Sequence, residues 1–392
     1  MSGGQVIGLG CRLNIAESES IAALTGDRGD RVVINSCAVT AEAVRQTRRT
    51  IRRARRAHPA ACLFVTGCAA ETERAALAAM PEVDEIVPNG RKLLPASYGL
   101  GSETIRRGAV PARTRAFVAV QNGCDHACTF CIIPRGRGPS RSAAVDVVLR
   151  EIESQLDRGA AEIVLTGVDA TAWGADLPGQ PRLGSLVAAI LSRFPHLARL
   201  RLSSLDGAEI DPLLFELIAG ERRVMPHLHL SLQHGHDLIL KRMKRRHNRA
   251  QAAALVAALR AQRPGLAVGA DLIAGFPTET AAHHHANISL VRELGIVHGH
   301  VFPFSPRQGT PAARMPQVEG ETIRGRAGEL RAAIAAERLA WQRRLIGTPL
   351  QVLAERDGRG YSESYARVAT PGLVAGTIAT IAPSALEDDL LI

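Results

Sequence analysis

The chain has 392 residues, 46% of them hydrophobic and 22% charged, which is the composition of a globular protein with two or three packed domains. It contains no apolar run of the roughly 18 residues that a membrane-spanning helix needs. The first ten residues lack a charged segment followed by an apolar one, so we expect a cytoplasmic protein without membrane contact.

The charge balance indicates the kind of partner. A net charge of +10 favours a polyanion. Aromatic residues make up only 3% of the chain, which argues against single-strand binding by base stacking. A folded nucleic acid, recognised by its backbone and shape, fits this composition better.

Three stretches near the N-terminus share one pattern, in which a short apolar run leads to a small residue and a cysteine. The stretches are QVIGLGC, RVVINSC and ACLFVTGC, which end at Cys11, Cys37 and Cys68. Apolar runs that alternate with helical stretches predict a parallel sheet covered on both faces. Because parallel strands end at the same edge of a sheet, we expect the three cysteines to converge there.

The end of this region follows from its last strand. The stretch DEIVP predicts a fourth strand, so we expect a first domain over residues 1–90 and a linker over 91–113. Cys62 lies at the start of the third strand and is interpreted as a small core residue.

Two stretches concentrate positive charge. Residues 41–58, AEAVRQTRRTIRRARRAH, predict a helix that carries seven arginines and one acid, and KRMKRRHNR covers residues 241–249. Exposed helix faces ordinarily mix both signs of charge, so phosphate contact is the favoured interpretation. The alternative is a solvated face in an arginine-rich protein.

A loop with three cysteines follows at residues 123–131, GCDHACTFC, where Cys124, Cys128 and Cys131 have the spacing C-x3-C-x2-C. A disulfide is disfavoured, since all seven cysteines lie within the first 131 residues and no secretory leader is evident. A structural zinc site with a distant fourth ligand stays open, although such sites favour paired C-x2-C hooks. The third possibility is an iron–sulfur cluster with one open iron.

From Thr114 the sequence predicts six strand–helix units. The strands are RAFVAVQNG, AEIVLTGVD, LARLRLSSLD, HLHLSLQHG, LAVGADLIAGFP and HGHVFPFSP. Six units predict a (β/α)6 partial barrel over residues 114–347, whose working face is formed by the strand C-termini. The three histidines at 283–285 fall on a predicted helix, where a solvated face is favoured over a metal site.

The remaining segment, residues 348–392, alternates polar and apolar residues between glycine-rich turns. This pattern predicts antiparallel strands in a small β-barrel. A hairpin packed on the larger barrel is the alternative.

The triple-cysteine loop after the first strand of a six-unit barrel resembles the radical S-adenosylmethionine (SAM) superfamily. The resemblance implies a 4Fe-4S cluster held by Cys124, Cys128 and Cys131, whose open iron SAM chelates through its amino and carboxylate groups. It further implies that an electron from the cluster cleaves SAM to a 5′-deoxyadenosyl radical, while the protein supplies position and excludes water.

Together with this loop, several stretches resemble the methylthiotransferase family: LGCRLN, VINSCAVT, VTGCAAE, LSSLD, LHLSLQHG, LKRMKRRH, DLIAGFPTE and HVFPFSPRQGT. The resemblance implies an auxiliary 4Fe-4S cluster on Cys11, Cys37 and Cys68, and a C-terminal TRAM-like RNA-binding barrel, here abbreviated. The stretches HLSLQ, LSSLD and HVFPFS are similar to the branch that acts on N6-threonylcarbamoyladenosine in tRNA. Alternatives are the isopentenyladenosine branch, the ribosomal-protein branch and, in another class, a non-catalytic RNA-binding iron–sulfur redox sensor.

The implied reaction replaces the C2 hydrogen of adenine 37, in the anticodon stem-loop, by a methylthio group. Two SAM molecules, a reducing electron donor protein and a sulfur source are the implied reactants. The candidate SAM contacts lie at strand ends and are Thr166, Gly167, Ser204, Gln233, Asp271, Gly275 and Phe304. A threonyl carboxylate requires a cation, and the candidates on loops are Arg135, Arg137, Arg141 and Arg307.

Overall fold

The computed structural model describes residues 5–26, 30–101 and 113–392, and the chain divides into two compact units. The first comprises Met1–Pro111, Asn122–Arg141 and Ser305–Thr310, and the second comprises Ala112–Gln121, Ser142–Phe304 and Pro311–Ile392. The triple-cysteine loop therefore packs with the first unit. Residues 102–112 of the predicted linker lie outside the described residues.

The first unit contains a parallel sheet with helices, as the apolar runs predict. Its strand order is β1-β2-β3-β4, and the cysteine-bearing segments follow the first three strands. The elements are β1 (Gln5–Gly8), α1 (Arg12–Thr25), β2 (Arg31–Ser36), α2 (Ala41–Ala57), β3 (Cys62–Gly67), α3 (Cys68–Thr72), α4 (Arg74–Ala78) and β4 (Glu85–Ile86). Cys62 is partly buried and packs against one of the apolar clusters.

The second unit contains two parallel sheets, which together supply the six successive strands of a barrel, the third of them being formed by β9 and its continuation β10. The first three strands pair as β5-β8-β9, and the chain continues past Ser203 into the sheet β10-β11-β12-β13. The barrel strands are β5 (Arg115–Ala119), β8 (Glu162–Thr166), β9 (Arg199–Leu202) with β10 (Ser204–Leu205), β11 (His227–Gln233), β12 (Ala267–Ala274) and β13 (Ile296–Pro303). The short strands β6 (Gln121–Asn122) and β7 (Arg141–Ser142) form a separate two-stranded sheet. The predicted six-unit partial barrel is confirmed, with β5 and β13 as its two edge strands.

Helices cover one face of this barrel. They are α6 (Val145–Asp157), α7 (Leu183–Arg193), α8 (Pro212–Gly220), α9 (Asp237–Arg242), α10 (Arg249–Gln262) and α11 (Ala281–Leu294), and a short α5 (Ile133–Arg137) follows the triple-cysteine loop. Alternate strand residues such as Leu230, Leu272 and Val268 join the apolar core under the helices. Their neighbours therefore point to the opposite, concave face, which we call the lumen.

A long helix, α12 (Gly320–Leu345), leads to the C-terminal segment, which forms one mainly antiparallel sheet of order β17-β14-β15-β16-β19-β18. Its strands are β14 (Leu350–Ala354), β15 (Arg359–Ser362), β16 (Arg367–Ala369), β17 (Ile378–Ile381), β18 (Leu386–Glu387) and β19 (Leu390–Leu391). The predicted antiparallel strands are thus present. The exact domain boundaries at 90, 113 and 347, and the likeness of this sheet to an RNA-binding barrel, stay predictions.

One prediction about the helices is wrong. The three histidines at 283–285 do not share a solvated face, because His284 is buried against the core on α11. Its imidazole Nε2 lies 2.9 Å from a carboxylate oxygen of Glu329 on α12. Among the described residues, no helix is both long and apolar enough to span a membrane.

Candidate active site

Cys11, Cys37 and Cys68 lie at the ends of three neighbouring parallel strands. Cys11 precedes α1, Cys37 follows β2, and Cys68 begins α3 directly after β3. Gly10 has φ +93°, and a Cβ there would lie 2.8 Å from the sulfur of Cys37, so only glycine lets these loops approach. The structure therefore brings together the three cysteines that the sequence pattern predicts to converge.

The three sulfurs affect each other electrostatically. Burial, together with smaller contributions from the nearby sulfurs of Cys68 and Cys11, raises the pKa of Cys37 to about 11. Burial also raises the pKa of Cys68. A neutral thiol is a poor metal ligand, because the thiolate is the form that binds. Metal binding at this site would therefore displace the thiol protons. Three sulfurs at one sheet edge suit a cluster with one open iron.

A buried ionic network supports this cysteine site from behind. The Arg137 guanidinium bonds to the sulfur of Cys68, to Asn14 and, at 2.9 and 3.0 Å, to the carboxylate of Glu17. Lys92 donates to the same carboxylate at 2.5 Å. Burial opposes the ionisation of Glu17, but Lys92 and Arg137 outweigh it and hold the pKa of Glu17 below its ordinary value.

Sequence reasoning missed this network. Asn14 and Glu17 stand three residues apart on α1, so they share one helix face, and both are polar yet fully buried. That spacing was the available signal, but it does not reveal partners as distant as Lys92 and Arg137. The predicted role of Arg137 as a substrate cation is not supported, because its side chain is buried and committed to Glu17.

The triple-cysteine loop is shaped by its own backbone. The amide of Cys124 donates to the carbonyl of Gly138 at 3.1 Å, and the amide of Cys131 donates to the carbonyl of Cys128 at 3.1 Å. Two further amides point at sulfur, from His126 to Cys124 and from Ile133 to Cys131, both at 3.4 Å. Amide donors of this kind stabilise thiolate ligands of iron–sulfur clusters and tune their potentials.

The helix after this loop packs on the first cysteine site. A Cβ on Gly136 in α5 would lie 3.3 Å from the Cβ of Cys68, and Asn89 donates to the carbonyl of Gly136 at 2.6 Å. The two sets of cysteines are thus parts of one compact unit. This packing is what connects them, although they are far apart in sequence.

The predicted SAM contacts lie on the lumen strands and their ends. Thr166 ends β8 and is buried. Gly167 lies against Gln121, whose side-chain oxygen accepts from the amides of Val168 and Asp169 at 3.1 and 2.9 Å. Gln121, which sequence reasoning missed, therefore fixes the turn after β8.

The other candidates have different surroundings. Ser204 donates to Asp271 at 3.0 Å, so these two side chains bond to each other within the lumen. Gln233 ends β11 with φ +68°, and Gly275 follows β12 with φ +73° and lies against Ile323. Phe304 is buried against the ring of Phe276, with ring centroids 5.6 Å apart, which is a packing contact. Cofactor contact by these residues stays a prediction.

The remaining predicted cations divide into paired and exposed groups. Arg307 is buried and bonds to Glu73 at 2.9 Å, so it is committed within the first unit. Arg135 donates to the carbonyl of Gln308 and Arg141 to that of Arg137, and both side chains are exposed.

The two cationic stretches also differ. On α2, Arg55 is held by Asp84 and by the carbonyl of Glu82. Arg45 and Arg49 form exposed ion pairs with Glu42, which contribute little to stability, and Arg53 is exposed. In the stretch 241–249, ion pairs join three arginines to acids: Arg245 to Asp206, Arg246 to Glu209 and Arg249 to Glu293. The second stretch therefore stabilises the fold, and α2 is the better candidate for phosphate contact.

Comparisons with known proteins agree with this architecture. Residues 118–291 match the family model described as the radical SAM superfamily, and residues 5–88 match the one described as uncharacterized protein family UPF0004. Among solved structures, the radical SAM methyltransferase TsrM from Kitasatospora setae has a TM-score of 0.58 at 16% identity, covering 79% of this chain and 74% of that chain. The fold and the triple-cysteine loop thus define a radical SAM protein.

Curated relatives narrow the class. The chain is 43% identical over 377 residues to the threonylcarbamoyladenosine tRNA methylthiotransferase MtaB of Rickettsia prowazekii, covering 92% of this chain and 90% of the relative. It is 33% identical to a tRNA-2-methylthio-N(6)-dimethylallyladenosine synthase of Cereibacter sphaeroides, covering 89% and 86%. The chain belongs to the radical SAM methylthiotransferase family, in the MtaB branch. Membership implies a 4Fe-4S cluster and SAM, and the loop at 123–131 has the donor set to hold that cluster.

Proposed function

We propose that this protein is the methylthiotransferase that converts N6-threonylcarbamoyladenosine at position 37 of tRNA to its 2-methylthio derivative. The observation that carries the proposal is the pair of cysteine sites in one compact unit, in a chain 43% identical to a relative with that activity in its name. One site suits SAM cleavage, and the other suits the sulfur to be transferred.

In this proposal Cys124, Cys128 and Cys131 hold the radical SAM cluster, and Cys11, Cys37 and Cys68 hold an auxiliary cluster. The bound groups supply an electron to cleave SAM and a methylthio group for transfer. The chain supplies the thiolates and the amides that point at them. Arg137 places a positive charge beside Cys68, which favours the thiolate form that a cluster needs.

The remaining parts of the proposal concern partners. The tRNA anticodon stem-loop binds through phosphate contacts that include the exposed arginines of α2, and the abbreviated C-terminal sheet adds to the surface. The candidate SAM contacts are Thr166, Gly167 and Gln233, which stand at strand ends. A reducing protein supplies electrons, and a separate sulfur source renews the auxiliary site.

The test uses anaerobically reconstituted protein and tRNA that carries either threonylcarbamoyladenosine or isopentenyladenosine. Mass spectrometry of the digested nucleosides should find the methylthio product only with threonylcarbamoyladenosine. A methylthio product only from isopentenyladenosine would refute the proposed substrate but leave the family and its chemistry intact. A strain that lacks the gene should also lose 2-methylthio-threonylcarbamoyladenosine from its tRNA.

A further inference from the structure

A row of polar side chains crosses four neighbouring strands of the second unit. Asp271 on β12 is its centre: one carboxylate oxygen lies 3.0 Å from Nε2 of His229 on β11 and 3.0 Å from Nδ1 of His300 on β13. The other oxygen accepts from the hydroxyl of Ser204 on β10 at 3.0 Å. Both carboxylate oxygens are therefore engaged within the row.

The row faces the lumen. Leu228, Leu230 and Leu272 on the same strands belong to the apolar core beneath the helices, so the residues that alternate with them point the other way. Gly269 leaves space for this arrangement, because a Cβ there would clash with the ring of His229.

The lumen residues nearer the N-terminal ends of the strands are held by other parts of the second unit. His298, two residues before His300, lies 3.2 Å through Nε2 from the carbonyl of Ser364. Burial lowers its pKa to about 3, so it is neutral. Arg201 and Arg199 at that level are both held by Glu162. These residues form a floor, and the row of Asp271 lies on the open side of it.

The hydrogen bonds determine which nitrogen of His300 is available. Burial opposes the ionisation of Asp271, but the imidazoles of His229 and His300 outweigh it and hold its pKa well below the ordinary value. An ionised carboxylate only accepts hydrogen bonds, so His300 presents Nδ1–H to it. The second nitrogen, Nε2, points away, and the His300 side chain is 64% exposed on the edge strand.

We propose that His300, oriented by Asp271, binds the carboxylate of the threonylcarbamoyl group through Nε2–H, and so selects this substrate over an isopentenyl one. This inference rests on the proposed function. With a carboxylate on each side, the ring of His300 can donate one N–H to each, whereas an apolar substituent would leave the second nitrogen without a partner. Two of the four arginines predicted for this role, Arg137 and Arg307, are committed to Glu17 and Glu73.

In this arrangement His300 is a specificity residue and Asp271 is a positioning residue. Ser204 and His229 hold Asp271 in place from the other side. Asp271 thereby fixes both the ring orientation and the protonated nitrogen of His300, as carboxylates do for functional histidines elsewhere.

The experiment compares two substrates that differ only at the threonyl carboxyl group: anticodon stem-loop RNA with threonylcarbamoyladenosine, and the same RNA with this group as a methyl ester, which removes the charge and adds one methyl group. Wild-type protein, His300→Gln and the matched control His196→Gln, an exposed histidine of the same unit, are assayed for kcat/KM and for SAM cleavage without RNA. We expect His300→Gln to lose about 10- to 150-fold in kcat/KM on the acid, the factor for one hydrogen bond to a charged group. The loss should come mainly through KM, with iron content and RNA-free SAM cleavage unchanged.

The decisive result is whether the effect of the His300 substitution depends on the charge of the substrate. Wild type and His196→Gln should prefer the acid to the ester, and His300→Gln should treat both alike. A preference for the acid in His300→Gln as large as that of wild type would overturn the inference. A second variant, Asp271→Asn, should lose the same preference, and the double variant should be no worse than His300→Gln. Failure of wild type to modify either substrate would instead refute the proposed function, so the two failures are distinguishable.

Discussion

Removing the charge of Glu162 should strongly destabilise the second unit. Its carboxylate is fully buried and bonds to the guanidinium of Arg201 at 2.8 and 3.1 Å, with Arg199 at 3.6 Å. Glu162→Gln keeps the shape but leaves two buried arginines without their counter-charge. Breaking a buried ion pair by removing one partner costs about 3–5 kcal/mol.

The assay can follow the second unit alone, because both tryptophans of the chain, Trp173 and Trp341, lie in it. With a urea dependence of about 2–3 kcal/mol per molar, the midpoint of the fluorescence transition should fall by about 1–2 M. The matched control is Glu153→Gln, which removes an exposed ion pair to Arg193 at 2.6 Å. That pair is expected to contribute no more than about 1 kcal/mol.

The dependence on pH follows from the same geometry. Burial opposes ionisation of Glu162, but Arg201 outweighs it and lowers its pKa. A carboxyl whose folded pKa is depressed stabilises the fold above its unfolded pKa and loses that contribution as the pH falls through the folded value. The difference between wild type and Glu162→Gln should therefore be full at pH 7 and shrink in acid. Equal midpoint shifts for Glu162→Gln and Glu153→Gln at pH 7 would refute this reasoning.

Three further predictions concern the cysteine sites and the cationic helix. Reconstituted wild type should bind about eight irons. Alanine at Cys124, Cys128 and Cys131 should halve the iron content and abolish SAM cleavage. Alanine at Cys11, Cys37 and Cys68 should also halve the iron content but spare SAM cleavage, and full iron in either variant would contradict the assignment of that site. Glu17→Gln should lower the iron content toward about four while SAM cleavage persists, because Arg137 and Lys92 lose their buried counter-charge; unchanged iron would show that the network does not support the cluster. Glutamine at Arg48, Arg49, Arg52 and Arg53 of α2 should reduce the slope of log binding constant against log salt concentration by up to about 3. The control variant has glutamine at four exposed arginines of the second unit, Arg150, Arg158, Arg193 and Arg222, and should keep the wild-type slope.

The repeated apolar runs were enough to predict the strand layout, because the period of hydrophobic residues and the run length are local properties. Convergence of Cys11, Cys37 and Cys68 followed from topology, since parallel strands end at one edge. The long-range polar partners could not be predicted in this way. Arg137 meets Glu17 across 120 residues, and no local pattern encodes that pairing.

The same limit explains why the sequence predicts only two members of the polar row in the lumen. Ser204 and Asp271 were predicted as cofactor contacts because they lie on lumen strands, and the structure bonds them to each other. His229 and His300 look like ordinary strand residues in the sequence. Their role depends on registers between strands, such as Asp271 opposite His300 on β13, which the sequence of one strand does not specify.

The floor of the lumen gives the C-terminal sheet a structural role. Arg199 donates to the carbonyls of Gln351 and Tyr361, and Arg201 donates to that of Glu363. Tyr365 lies beside the ring of His227, at a centroid distance of 5.1 Å. Buried backbone carbonyls need hydrogen-bond donors. Here Arg199 and Arg201, both paired with Glu162, provide them. The C-terminal segment thus covers the barrel at the strand N-termini, on the side of the lumen opposite to the strand C-termini.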